Sequence, residues 1–121
     1  MGMNNASAVP WSRMCAFRAR GRSTAEAPSA ALFTARLWAN TAVDDRVQHI
    51  RVCQGPARLD IGIVLMAIDV ENARAAGARI CTAALVAHPD THGWTLQPLT
   101  GSLDLHYLLT QDFPYLSCHH I

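Results

Sequence analysis

The apolar segment at residues 58–68, RLDIGIVLMAI, constrains the fold more than any other part of the sequence. Alternate positions form one fully apolar face, whereas the other face begins with Arg58 and Asp60 and becomes apolar after them. A strand that is apolar on both faces usually lies at the centre of its sheet. The segment therefore predicts a central strand. Its fully apolar face comprises Leu59, Ile61, Ile63, Leu65 and Ala67.

A turn precedes this strand. Residues 54–57 read QGPA, and Pro56 has the fixed φ that suits the second position of a type I or II turn. The segment before it, RVQHIRVC, alternates weakly, with Ile50 and Val52 on one face. Two strands joined by so short a connection predict an antiparallel hairpin.

One helix follows the central strand. Asp69 is a good N-cap because its carboxylate accepts a hydrogen bond from an otherwise unpaired backbone N–H, and Glu71 suits the positive first turn. Pro89 ends the helix after His88. Gly77 lies on the apolar stripe, although glycine costs about 1 kcal/mol of helix stability relative to alanine. Its position indicates that the helix approaches the sheet closely there.

The patterns on either side of the predicted hairpin and helix are weaker. Residues 31–40 alternate like a strand, and residues 93–99 form a short strand that Pro98 marks as an edge or as ending there. Residues 103–109 alternate like a strand but also fit a helix, and a strand is favoured. The resulting order β-β-β-α-β-β predicts an α+β fold: a single domain whose mixed, mostly antiparallel sheet carries one main helix on one face.

The chain divides into three parts by composition. Residues 1–30 are rich in small and polar residues and contain four arginines, and this predicts a flexible Arg-containing leader. Residues 31–110 form the α+β domain, and residues 111–121 form a C-terminal tail. A chain of 121 residues suits a single domain.

Composition excludes several functions. Half of the residues are hydrophobic and 16% are charged, a balance that disordered and membrane-spanning proteins do not have. The net charge of +1 gives no overall field for nucleic acid. All ten basic residues are arginine, a bias typical of a G+C-rich genome, so lysine nucleophiles, Schiff-base lysines and P-loops are excluded.

The cysteines and histidines indicate neither a redox motif nor a metal centre. The four cysteines contain no Cys-x-x-Cys pair, and no export signal supports an oxidising compartment. The protein is therefore expected to be cytoplasmic. His88 and His92 flank Asp90, but Pro89 removes the helical spacing that a ligand pair requires. The C-terminal Cys118-His119-His120 run is a weaker metal candidate. We expect no cofactor.

No catalytic motif is present: the sequence lacks a serine-centred elbow, a dinucleotide fingerprint and an HExxH helix. Cys53 lies near His49, but strand geometry separates these two side chains by about 13 Å. The best polar cluster combines the two hairpin strands and indicates either a pocket for an anionic ligand or a solvated surface with ion pairs. Its members are His49, Arg51, Arg58 and Asp60.

Three functional hypotheses follow. The first is a non-catalytic module that forms a homodimer or binds a protein partner, because one helix cannot cover a five-stranded sheet. The second is a ligand-binding protein or enzyme that uses the polar cluster. The third is nucleic-acid binding through the Arg-containing leader, which the modest number of arginines makes unlikely. The uncovered face is predicted to include Leu32, Trp38, Val64 and Met66.

Overall fold

The computed structural model of the chain describes residues 10–22, 27–99 and 117–120. These residues form five strands, two α-helices and one turn of 3-10 helix. In chain order they are β1 (Trp11–Arg20), α1 (Ala30–Ala39), the 3-10 turn (Val43–Asp45), β2 (Val47–Gly55), β3 (Arg58–Ala67), α2 (Val70–Val86), β4 (Thr95–Pro98) and β5 (Ser117–His120).

The five strands form one antiparallel sheet in the order β4-β1-β3-β2-β5. The first four strands and the two helices make two interleaved β-α-β units, which is the ferredoxin-like split arrangement. The expected α+β class with an antiparallel sheet is therefore confirmed. None of the helices in the described ranges is long and apolar enough to cross a bilayer.

β3 is the central strand, as its two-sided apolar pattern predicts. It pairs with β1 along one edge and with β2 along the other. Ile61 and Ile63 are completely buried in the main core. The hairpin is also as predicted: Gly55 pairs with Arg58 across the two-residue turn Pro56-Ala57. Ala57 has φ 50°, the left-handed conformation that this turn requires.

Residues 11–20, which the sequence pattern placed in the flexible leader, form β1. This strand lies between β3 and β4 in the interior of the sheet. Cys15, Phe17 and Ala19 are buried in the main core and alternate with Arg18 and Arg20. The alternation is that of a strand, but small and charged residues make it less apolar than a typical interior strand.

Residues 30–39, predicted as a strand, form the helix α1. Ser29 caps it, since its hydroxyl oxygen accepts a hydrogen bond from the Leu32 N–H at 3.1 Å. Phe33 and Leu37 are both buried and lie one helical turn apart. In this short segment the apolar residues fit both the alternation of a strand and the four-residue spacing of a helix. The alanines of the segment favour the helix.

α2 begins and ends close to the predicted positions. The Asp69 carboxylate accepts a hydrogen bond from the Asn72 N–H at 2.7 Å, and the helix ends at Val86. Both helices lie on the face of the sheet that carries Phe17 and Ile61, with α1 against β2 and α2 against β1. We call this the first face and the opposite one the second face.

The tail predicted at residues 111–121 includes β5, whose backbone pairs with β2 at the outer edge of the sheet. Residues 103–109, for which a strand was favoured, lie outside the described residues.

Gly77 lies where α2 meets β1. A Cβ atom built on Gly77 would lie 2.5 Å from Cys15 Sγ and 2.7 Å from Phe17 Cε2. We expect Gly77→Ala to lower the free energy of unfolding by about 1–3 kcal/mol, because overpacking outweighs the gain in helix propensity of about 1 kcal/mol. Urea denaturation measures the change. Cys15→Ala in the same background should restore part of the loss, and a stabilised Gly77→Ala protein would contradict the close approach.

Candidate functional site

A buried ion pair lies in the middle of the second face. The Arg18 guanidinium donates to both carboxylate oxygens of Asp60, with Nε–Oδ1 2.7 Å and Nη2–Oδ2 3.0 Å. Arg58 Nε lies 3.8 Å from Asp60 Oδ2. The Asp60 side chain is 0% exposed. A carboxylate so deeply buried is stable only when cations and hydrogen bonds compensate for its lost hydration, and two guanidinium groups are present here.

The predicted cluster is only partly assembled. Arg58 and Asp60 lie together, and Arg51 is 4% exposed on the same face. Arg51 pairs in register with Gly62, which is two residues and about 7 Å along β3 from Asp60. His49 pairs with Val64, about 13 Å from Asp60 along the strand. His49 is therefore at the margin of the cluster.

Arg18 is the residue that the sequence pattern missed. The register of β1 on β3 places it directly opposite Asp60. Because the sequence pattern assigned residues 11–20 to a leader, it predicted no strand on that side of β3 that could supply a cation to Asp60. The signal that could have found it is the interior Asp60 itself, since a buried carboxylate requires a cation on a neighbouring strand.

The cluster has the features of a structural ion pair. Asp60 is fully buried and engaged by Arg18, and none of the four predicted cluster residues lines a cavity among those found in the described part of the chain. A ligand has no access to the Asp60 carboxylate, and the Arg18 and Arg58 side chains are only 21% and 19% exposed. The arrangement therefore stabilises the pairing of β1 with β3.

Asp60→Asn separates a structural role from ligand binding. We expect the substitution to lower the free energy of unfolding by about 3–5 kcal/mol, because it withdraws the charged partner from two guanidinium groups in a buried site. Urea denaturation measures the loss. Asp90→Asn, which breaks the exposed ion pair with Arg36, is the matched control and should cost less than about 1 kcal/mol. A fully stable Asp60→Asn protein would contradict the structural role.

The cysteines fall into two groups. Cys53 is completely buried and disulfide-bonded, and its register partner on β5 is Cys118. It is therefore not a free nucleophile. Cys15 and Cys81 are free thiols in the main core. Burial raises the pKa of the Cys15 thiol to about 12 and the pKa of the Cys81 thiol well above its usual value. Both thiols are chemically inert in the folded protein.

Counting the thiols tests this assignment. Iodoacetamide at pH 8 should label neither Cys15 nor Cys81 in the folded chain, because burial blocks access and the raised pKa leaves almost no thiolate. After denaturation without reductant, mass spectrometry should find two labelled cysteines. Denaturation with reductant should give four. Four labels without reductant would show that Cys53 carries no disulfide.

The histidine-rich segment after α2 does not assemble a metal centre. Arg36 donates to both oxygens of Asp90 at 2.8 and 3.0 Å, and these hydrogen bonds lower the pKa of the Asp90 carboxyl. Within the described ranges, no group of three or more His, Cys, Asp or Glu side chains could hold a metal ion. The two histidines of this segment flank Asp90, and His88 is half-buried while His92 is exposed.

The most prominent surface feature is apolar. Four of the six large hydrophobic residues exposed among the described residues lie at the end of the sheet where β1 begins and β3 ends. We call these four the apolar end surface. One of them, Ile68, lines a cavity of about 490 Å³ together with the last residues of β3, the first turns of α2 and the 3-10 turn. The four residues are Trp11, Val43, Ile68 and Val70.

Within the described residues, the outer edge of β1 is open at the same end. β4 pairs only with Phe17–Arg20, and the Leu99 N–H donates to the Ala16 carbonyl at 2.8 Å. In the part of the chain that the structure describes, no strand pairs with residues 11–15 on this side. Since Ala16 points its carbonyl to this edge, the backbone groups of Ser12 and Met14 point there too. Such an edge can accept another strand.

Comparison with known proteins gives no match: no family model, no curated protein and no solved structure corresponds to the chain.

Proposed function

We propose that the protein is a non-catalytic α+β interaction module that forms a homodimer. The observation that carries the proposal is the coincidence of the apolar end surface with the open edge of β1. Contiguous exposed apolar residues are typical of interaction surfaces, and unpaired strand edges bind further strands. Trp11 belongs to both features, and 61% of its surface is exposed.

A second copy of this chain is the occupant that fits the edge best. A two-fold axis brings identical strands together antiparallel, so one edge is complementary to itself. With the axis at Ser12, Trp11 lies opposite Arg13 of the second copy. An arginine beside a tryptophan is a favourable cross-strand pair. Moving the axis to Arg13 would instead place two like charges opposite each other, which is unfavourable.

This interface differs from the sheet face that the sequence indicated. Leu32 and Trp38 lie on α1 because residues 30–39 are helical. Val64 and Met66 are half-buried on the second face, and Ala16 and Cys53 beside them are buried. The sheet face is therefore less exposed than expected, and the end of β1 offers the larger apolar exposure.

The other two hypotheses receive less support. The polar cluster is engaged by Arg18 and has no adjoining cavity among the described residues. Of the leader arginines, Arg13 donates to the carbonyls of Ala67 and Ile68, and Arg18 binds Asp60. Arginines held by the fold are poor candidates for an arm that binds nucleic acid.

The compartment is part of the proposal. A cytoplasmic location was the expectation from the sequence. The disulfide at Cys53 favours an oxidising compartment instead, since cytosolic thiols are kept reduced. A thiol count on protein taken directly from its native cells would decide between the two.

Two substitutions test the dimer. Trp11→Glu places a charge in the apolar end surface. Ser12→Pro removes an N–H that points to the open edge and leaves the backbone hydrogen bonds to β3, while the Ser12 hydroxyl contacts with Gln48 and Met66 are lost with it. We expect each to weaken self-association by at least about thirtyfold, as for loss of a central aromatic contact. Sedimentation equilibrium of the untagged chain measures the dissociation constant.

Val86→Glu is the matched control, because Val86 is 57% exposed at the far end of α2. It should leave the dissociation constant unchanged. A wild-type chain that stays monomeric at millimolar concentration, or a dimer that both variants leave intact, would refute the interface.

A further inference from the structure

The loop between α2 and β4 is held in place from three sides. The buried Thr91 hydroxyl donates to the Leu85 carbonyl at 2.7 Å and so satisfies one of the last carbonyls of α2. Asp90 accepts both hydrogen bonds from Arg36 of α1. The Trp94 indole packs so closely on Gly21 that a side chain at Gly21 would overlap the ring. The loop is therefore a fixed structure.

This loop and Arg22 line a partly open cavity of about 340 Å³. That volume is within the range of small-molecule sites, which begins near 300 Å³. The cavity lies beyond the end of β1, about 30 Å along the strand from Trp11. It is separate from the apolar end surface. Its lining residues are Arg22, Pro89, Asp90, His92, Gly93 and Trp94.

The charges of the cavity favour an anion. Arg36 already neutralises Asp90 from outside the cavity. Within the described ranges, no carboxylate pairs with Arg22, which lines the cavity. His92 adds an imidazole that can donate a hydrogen bond. A guanidinium fork matches a carboxylate in shape and binds it through two parallel hydrogen bonds.

The remaining wall is apolar and flat. Trp94 is half-buried, its ring is fixed by Gly21, and Pro89 lies beside it. An indole held in one orientation offers a ring surface for stacking at low entropic cost. A guanidinium next to a fixed aromatic ring suits a planar ligand that carries both an anionic group and a ring.

We propose that this cavity binds a small aromatic carboxylate. The carboxylate pairs with the Arg22 guanidinium, His92 donates a further hydrogen bond, and the ring of the ligand stacks on the Trp94 indole. The site does not depend on the proposed homodimer, since the two features lie at opposite ends of β1.

The proposal is tested by titrating the untagged 121-residue chain with sodium benzoate and recording ¹H–¹⁵N NMR spectra at each step. The chain has three tryptophans, and a Trp94→Phe variant identifies which indole N–H signal belongs to Trp94. Benzoate should shift that signal saturably. Acetate has the charge without the ring and benzyl alcohol has the ring without the charge, so each should bind at least about tenfold more weakly.

Arg22→Gln should weaken benzoate binding by at least about tenfold. Arg20→Gln, which removes an exposed arginine two residues earlier, is the matched control and should leave the affinity unchanged. Trp11→Glu should also leave it unchanged. The proposal is overturned if benzoate does not bind, if acetate binds as tightly, if Arg22→Gln has no effect, or if only the other two indole signals shift.

Discussion

The fold depends on the burial of Asp60 in the middle of the central strand. A carboxylate at that position needs cations within hydrogen-bond distance, and Arg18 on β1 supplies the closest one. Because side chains alternate between faces, a shift of β1 by one residue would move Arg18 to the other face and bury Asp60 without it. The ion pair therefore favours a single register of β1 on β3, and with it the position of Phe17 beneath α2.

That register determines much of the surface as well. With β1 fixed, its first residues extend past the short strand β4, and the exposed Trp11 lies beside an edge that no other described strand pairs with. Its last residues lead into Gly21 and Arg22, next to the loop after α2. The two ends of one strand thus present different chemistry: apolar side chains and open backbone at one end, a guanidinium and an indole at the other.

The elements that were predicted correctly are those whose pattern of apolar and polar residues fits only one type of secondary structure. β3, the hairpin at Pro56 and the capped helix α2 all have patterns that only one type of element satisfies. α1 was predicted as a strand because alternate apolar residues in a ten-residue segment also satisfy a spacing of four, and the Ser29 cap and the alanines are what favour the helix. β1 was missed because its outward face carries arginines and its inward face small residues.

The site was predicted to the same extent as the strands that carry it. Arg58 and Asp60 lie on the correctly predicted hairpin and are close together, whereas Arg18 lies on the strand that was missed.

The length of β4 has a consequence of another kind. Among the described residues its four residues pair with less than half of β1, so an insertion of a few residues there would extend the pairing along β1 within one chain. For the proposed homodimer, assembly would then be set by the length of one strand, and a single insertion or deletion in evolution would be enough to change it.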